Sequence, residues 1–257
     1  MTPYAYFLYE EQNGTVFLTI NRPPLNILSL AAIQEFSQVL DHLKSRQDIS
    51  VLVLSGAEEK AFSAGLEIKE HMPEKVGEIL LNFHQIFHKL AVLPQIIIAM
   101  IRGYCLGGGC ELVAFCDMAV AEEGAIFGQP EIHVGCFPPV GVAILPELMG
   151  HKAALELVLT GRHILADEAK TLGLVNRVVP GHLLLENVEQ IVNSLRQKSP
   201  AVLKLAKQAL RGHQNEYFKK DLSRVEQIYL QYLIHTEDCR EGIVAFLEKR
   251  RPQWSGK

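Results

Sequence analysis

The chain has 257 residues, enough for one large core, or one core with a small appendage. Its 48% hydrophobic and 21% charged residues exclude a disordered chain. A net charge of -4 and an isoelectric point near 6.2 exclude a general nucleic-acid binder, whose phosphate contacts need a basic surface.

Near the N-terminus, "AYFLYEEQNGTVFLTINRP" predicts a β-hairpin, two apolar-rich strands around Asn13-Gly14. "SLAAIQEFSQVLDHLKSR" predicts a helix with Ser29 as its N-cap and an apolar face of Ile33, Phe36, Leu40 and Leu43. "SVLVLSG" and "QIIIAMIRG" are continuously apolar, as strands of a sheet covered on both faces are. Between them, "EKVGEILLNFHQIFHKLAVL" is helical and stops at Pro94. Helix, strand and glycine turn recur through "CELVAFCD", "MAVAEE" and "AIFGQPEI", which predicts an α/β core. Beyond about residue 145 the pattern is mostly helical, in "KAALELVLTG", "ADEAKTLG", "LLENVEQIVNSLRQ" and the run from Pro200 to Arg251. The chain thus divides into an α/β core, 1–195, and a helical C-terminal region, 196–257.

Five cysteines (105, 110, 116, 136 and 239) show no metal-type spacing, and scattered thiols in apolar surroundings point to a reducing compartment, the cytoplasm. The first residues lack the pattern of a signal peptide, and no apolar run is long enough for a membrane span. His84 and His88 have the i, i+4 spacing of metal ligands but no acidic partner in a known motif, so they read as packing or surface residues. "KRRP" at 249–252 reads as a solvated helix end. Neither a phosphate-binding G-x-x-x-x-G-K-[ST] nor a dinucleotide G-x-G-x-x-G opening a βαβ unit occurs, and Ser63 lacks the nucleophile elbow G-x-S-x-G.

Two glycine turns carry the chemical signal. In "RGYCLGGGCELVAF" a buried strand runs into Gly107-Gly108-Gly109 and a helix begins there. Such a turn exposes backbone N–H groups at the positive end of a helix dipole, suited to an oxygen on which charge develops. Close packing that only glycine permits accounts equally well for this stretch alone. "AFSAGLEIKE" has the same form, so the N–H groups of Leu66 and Gly108 make an oxyanion hole if they converge. Glu111 follows the first turn by one helical turn, and Glu131 lies in "FGQPEIHVG". Two glutamates in apolar settings can act as acid and base on one water; the alternative for each is an ordinary salt bridge.

These stretches resemble the enoyl-CoA hydratase/isomerase (crotonase) superfamily nearly end to end. The resemblance rests on "INRPPLNILS", "AFSAGLEIKE", "GYCLGGGCELVAFCDMAVA", "FGQPEIHVG", "LTGRHILADEAKTLGLVNRVV" and "EGIVAFLEKRRPQW", in that order. It implies a spiral of ββα units with a helical C-terminal region that trimerises, often as a hexamer of two trimers. It implies an acyl-CoA thioester as substrate, no other cofactor, no metal, and no nucleic-acid or membrane partner. The thioester oxygen would be held by Leu66 and Gly108 and the water by Glu111 and Glu131. Coenzyme A would lie along Ala64, Gly65, Glu67, Ile68 and Lys69, while Phe246 and Lys249 reach toward a neighbouring subunit's coenzyme.

The sequence departs from typical family hydratases at "FPPVGVAILP", where those carry a Gly-Ala-Gly-Gly-type run and an arginine. Bulk at Pro139, Val140 and Val142 beside the water, with Leu66 in place of the usual alanine, suggests a ring-shaped acyl group. "EIKEHMPEKV" and "FPPV" resemble the cyclohexa-1,5-diene-carbonyl-CoA hydratases. The first expectation is therefore a cyclic dienoyl-CoA hydratase. The alternatives are a straight-chain enoyl-CoA hydratase, a double-bond isomerase, and a non-catalytic RNA-binding or scaffolding protein on the same fold.

Overall fold

A computed structural model describes residues 4–72 and 75–257. Glu74, the first residue of the second predicted helix, lies outside them. The hairpin forms as expected, from β1 (Phe7–Gln12) and β2 (Thr15–Ile20), and leads into helix α1 (Leu30–Ser45). The Ser29 side chain caps α1 by accepting the Ala32 N–H.

Three strand–strand–helix units follow. They are β3 (Val51–Gly56), β4 (Ala61–Ser63) and α2 (Val76–Val92); then β5 (Ile96–Ile101), β6 (Tyr104–Leu106) and α3 (Gly108–Phe115); then β7 (Met118–Glu122), β8 (Ile126–Gly128) and α4 (Pro139–Met149). Each unit gives its first strand to a six-stranded sheet and its second to a four-stranded one. The remaining elements are α5 (His151–Thr160), β9 (His163–Leu165), α6 (Ala166–Thr171), β10 (Arg177–Val179), α7 (Leu184–Arg196), α8 (Pro200–Gln231) and α9 (Glu237–Leu247). The sheet orders are β1-β2-β3-β5-β7-β10 and β4-β6-β8-β9. Apart from β1 on β2 and β9 on β8, the pairs are parallel. This is the α/β spiral with a helical C-terminal region that the sequence implies.

The apolar strands are buried on both faces for a visible reason. Leu52 and Leu54 of β3 face the main core, while Val51 and Val53 face a second cluster closed by Leu184, Val188, Ile191 and Val192 of α7. Helix α8 is anchored through Phe218 and Leu222, which belong to the main core, and through an ion cluster. Asp117 accepts from Lys207 at 2.7 Å and Arg211 at 3.0 Å, and a third bond, from the Ile97 N–H, ties α8 to β5. His84 follows the packing expectation: its Nδ1 lies 2.6 Å from Glu226 Oε1 of α8.

The short strands β9 and β10 sit inside a stretch read from sequence as helical. Each has three residues and exists through its pairing with β8 or β7, which no local periodicity reports. Among the described residues no helix is long and apolar enough to cross a membrane.

Candidate active site

Gly107, Gly108 and Gly109 have three separate tasks. Gly107 has φ +51°, and a Cβ there would stand 2.5 Å from Glu131 Oε1, so both backbone and neighbour demand glycine. A Cβ on Gly109 would collide with the Ser63 carbonyl, so this position lets α3 lie against β4. Gly108 begins α3, so its N–H has no acceptor within the helix. Close packing is thus required at Gly107 and Gly109, while the intervening Gly108 opens the helix.

The turn at Gly65-Leu66 meets the Gly107–Gly109 turn. A Cβ on Gly65 would stand 3.1 Å from the Gly108 nitrogen, and the Leu66 side chain packs on Gly108. Leu28 braces the turn from behind, donating to the Gly65 carbonyl at 2.8 Å and accepting from the Glu67 N–H at 3.0 Å. Among the described residues the N–H groups of Leu66 and Gly108 have no protein acceptor.

Glu111 lies on α3, whose eight residues are all buried, and is itself 2% exposed. Its Oε1 accepts the Gly141 N–H at 2.7 Å. That donor belongs to the first turn of α4, where Pro139 at the first position removes an N–H that the helix would leave free in any case. Proline thus costs nothing here and leaves the next N–H groups and the helix dipole to hold a carboxylate. Burial raises the Glu111 pKa to about 7, against the opposing pull of the Gly141 and Val140 N–H groups.

Glu131 sits in the short 3-10 helix Pro130–Val134 that follows β8. Its pKa is raised to about 8, first by burial and then by the charge of Glu111, and its Oε2 is buried without a partner. Burial pushes both carboxyls up, and because they titrate as a coupled pair the charge of one holds the other protonated.

Both glutamates line a cavity of about 330 Å³, together with Ala64, Gly65, Leu66, Ile68 and Gly108. Most of the wall is apolar, from Leu80, Val134, Phe137, Pro138, Pro139, Tyr229 and Ile243. Phe246 lines this cavity within its own chain, and Glu67, Lys69 and Lys249 do not line it. The bulk expected beside the water is largely elsewhere: Pro139 faces the cavity, Val140 is fully buried in the core, and Val142 packs against that core. The helical turn of α4 rotates those side chains away from the site.

The sequence reading also missed residues. Tyr229 of α8 and His71 line the cavity, and His71 Nδ1 lies 3.0 Å from the Glu67 carbonyl. Gln129, fully buried two residues before Glu131, has neither carboxamide atom paired, and its Nε2 lies against Gly141. No local signal marks Tyr229 or His71; Gln129 stands within a quoted motif. Among the described residues no three His, Cys, Asp or Glu side chains are grouped to hold a metal.

The enoyl-CoA hydratase/isomerase family matches residues 10–257. The chain belongs to that family. It is 37% identical to the 2,3-dehydroadipyl-CoA hydratase of Escherichia coli, over 97% of this chain and 98% of that one. It is 34% identical to a short-chain-enoyl-CoA hydratase of Clostridium acetobutylicum, over 95% of each. An enoyl-CoA hydratase structure from Bacillus anthracis superposes with a TM-score of 0.78 at 35% identity, covering 98% of this chain and 100% of that one. The protein is an enzyme of the enoyl-CoA hydratase type, and its fold is the one the family resemblance implies. None of the three names points to a ring substrate.

Proposed function

We propose that this enzyme adds water reversibly across the C=C bond of a short straight-chain 2-enoyl-CoA. The observation that carries the proposal is the pair of glutamates on one apolar cavity, both with raised pKa values and Glu111 also accepting the Gly141 N–H. In this reading the Leu66 and Gly108 N–H groups hold the thioester oxygen. As water adds at the β-carbon, charge builds on that oxygen, and donors already in place stabilise it more than they stabilise the bound substrate. Glu111 takes the proton of the attacking water, and Glu131 delivers its proton to the α-carbon. No cofactor is needed beyond the coenzyme A of the substrate.

Two features favour hydration over isomerisation: both carboxyls are present, and water needs both a base and an acid. The names of the relatives favour an unbranched acyl chain, which the apolar wall suits. The ring reading keeps Leu66 and the Phe137-Pro138-Pro139 edge in its support. A spectrophotometric panel of crotonyl-, hexenoyl- and cyclic dienoyl-CoA esters tests the choice. The expected outcome is a kcat/KM for the best straight-chain ester at least about tenfold above the cyclic one. The reverse order sinks the straight-chain assignment and leaves hydration standing. We further read the enzyme as a homotrimer or homohexamer of the cytoplasm, since exposed apolar side chains remain on α5 and α8 and all five thiols are free.

A further inference from the structure

The α9 side of the cavity holds a pair of groups that hydration does not use. Cys136, just after the helix bearing Glu131, and Cys239, in the first turn of α9, have Sγ atoms 3.8 Å apart. They are 103 positions apart in the chain, so only tertiary packing joins them. Both are free thiols, 3% and 1% exposed. Their backbones are close too: a Cβ on Gly135 would stand 3.1 Å from the Cys239 Cα. A disulfide needs an S–S separation of about 2.0 Å, so the sulfurs must travel toward one another by about 1.8 Å, within reach of side-chain rotation and a small shift of α9. The other three cysteines lie on β6, α3 and the residue after α3, and none lines the cavity. Cys136 does line it, which gives a small molecule a route to its sulfur.

We propose that Cys136 and Cys239 form a thiol–disulfide exchange site for low-molecular-weight disulfides, and that joining them fastens α9 to the Glu131 segment. The Cys136 thiol, on the cavity wall, gives up its proton and attacks one sulfur of the small disulfide, forming a mixed disulfide and expelling one small thiolate, which takes up that proton. The Cys239 thiolate then attacks the Cys136 sulfur, closes the internal bond and expels the second small thiolate, which is protonated in turn. Two protein thiols are oxidised, and one small disulfide is reduced to two thiols. The consequence falls on the site. The Cys136 N–H donates to the Glu131 carbonyl at 3.0 Å, and Ile243 and Phe246 of α9 form cavity wall. Pulling the sulfurs together shifts that segment and holds the wall against substrate entry.

The test equilibrates the full-length enzyme with glutathione and glutathione disulfide at set ratios. Unreduced peptide mapping is followed by assay on the best ester of the panel. The expected result is a Cys136–Cys239 linked peptide, with kcat/KM lowered at least about tenfold and restored by dithiothreitol. Cys239→Ser should keep the activity of the reduced enzyme and lose both the link and the response; Cys239→Ala serves if the serine variant does not fold. Five free thiols at every ratio, a glutathione adduct alone, or a link that leaves activity unchanged would each overturn the proposal. The peptide map does not depend on which ester is turned over, so its failure and that of the substrate assignment are separable.

Discussion

Glu111 and Glu131 share one field, and their chemistry follows from it. Replacing either by glutamine should lower kcat on the order of 10²-fold or more, typical of lost acid–base catalysis. Under the proposed mechanism, in which both act on one water, the double variant should lose less than the product of the two. A single variant with full activity removes that residue from the mechanism. Their burial also has a cost in stability. Both folded pKa values lie above the ordinary carboxylate value, so the folded state keeps protons that the unfolded chain releases. That stabilisation is complete below about pH 4 and is lost as pH rises through 7 to 8. Melting temperature should therefore fall from roughly pH 5 to pH 8.5, and Glu131→Gln should flatten the decline. An unchanged slope in that variant would place the titration elsewhere.

Helix α3 presents both Gly108 and Glu111, so its placement sets the site. Its C-terminal end is held by Arg211 of α8, which donates to the Phe115 carbonyl at 2.8 Å and to Asp117. Asp117 is 12% exposed at the side chain and Lys207 8%, so their ion pair is largely removed from water. Asp117→Asn leaves Lys207 and Arg211 facing a neutral amide. Such a change should destabilise the fold by roughly 3 kcal/mol, read by urea denaturation. A loss below roughly 1 kcal/mol would mean that solvent screens the cluster.

Across the whole molecule, apolar side chains remain on the outside of the C-terminal half. Leu155 and Leu159 of α5 are 55% and 62% exposed, and Val202, Leu205 and Leu210 of α8 are 64%, 63% and 83% exposed. Isolated exposed leucines are ordinary, but a concentration of them favours an interface between copies. Light scattering at micromolar concentration should give the mass of a trimer or hexamer. A monomer would refute the assembly and leave these side chains without a partner.

Much of this protein was legible in its sequence because the signals are local. The Asn13-Gly14 turn, the Ser29 cap, the doubly apolar strands and the glycine turns each report physics within a few residues. The two glutamates could be picked out because each stands beside such a turn. Other features needed the fold. The three-residue strands β9 and β10 exist through their partners, and the 3.8 Å approach of Cys136 to Cys239 spans 103 positions. Tyr229 reaches the cavity from a helix whose own pattern gives no hint of it. Val140 and Val142 mislead for the same reason in reverse: sequence puts them beside the water, and the rotation of α4 turns them into the core. Identity and local spacing fix which groups can do chemistry, but facing is decided by helix phase and by contacts between segments far apart in the chain.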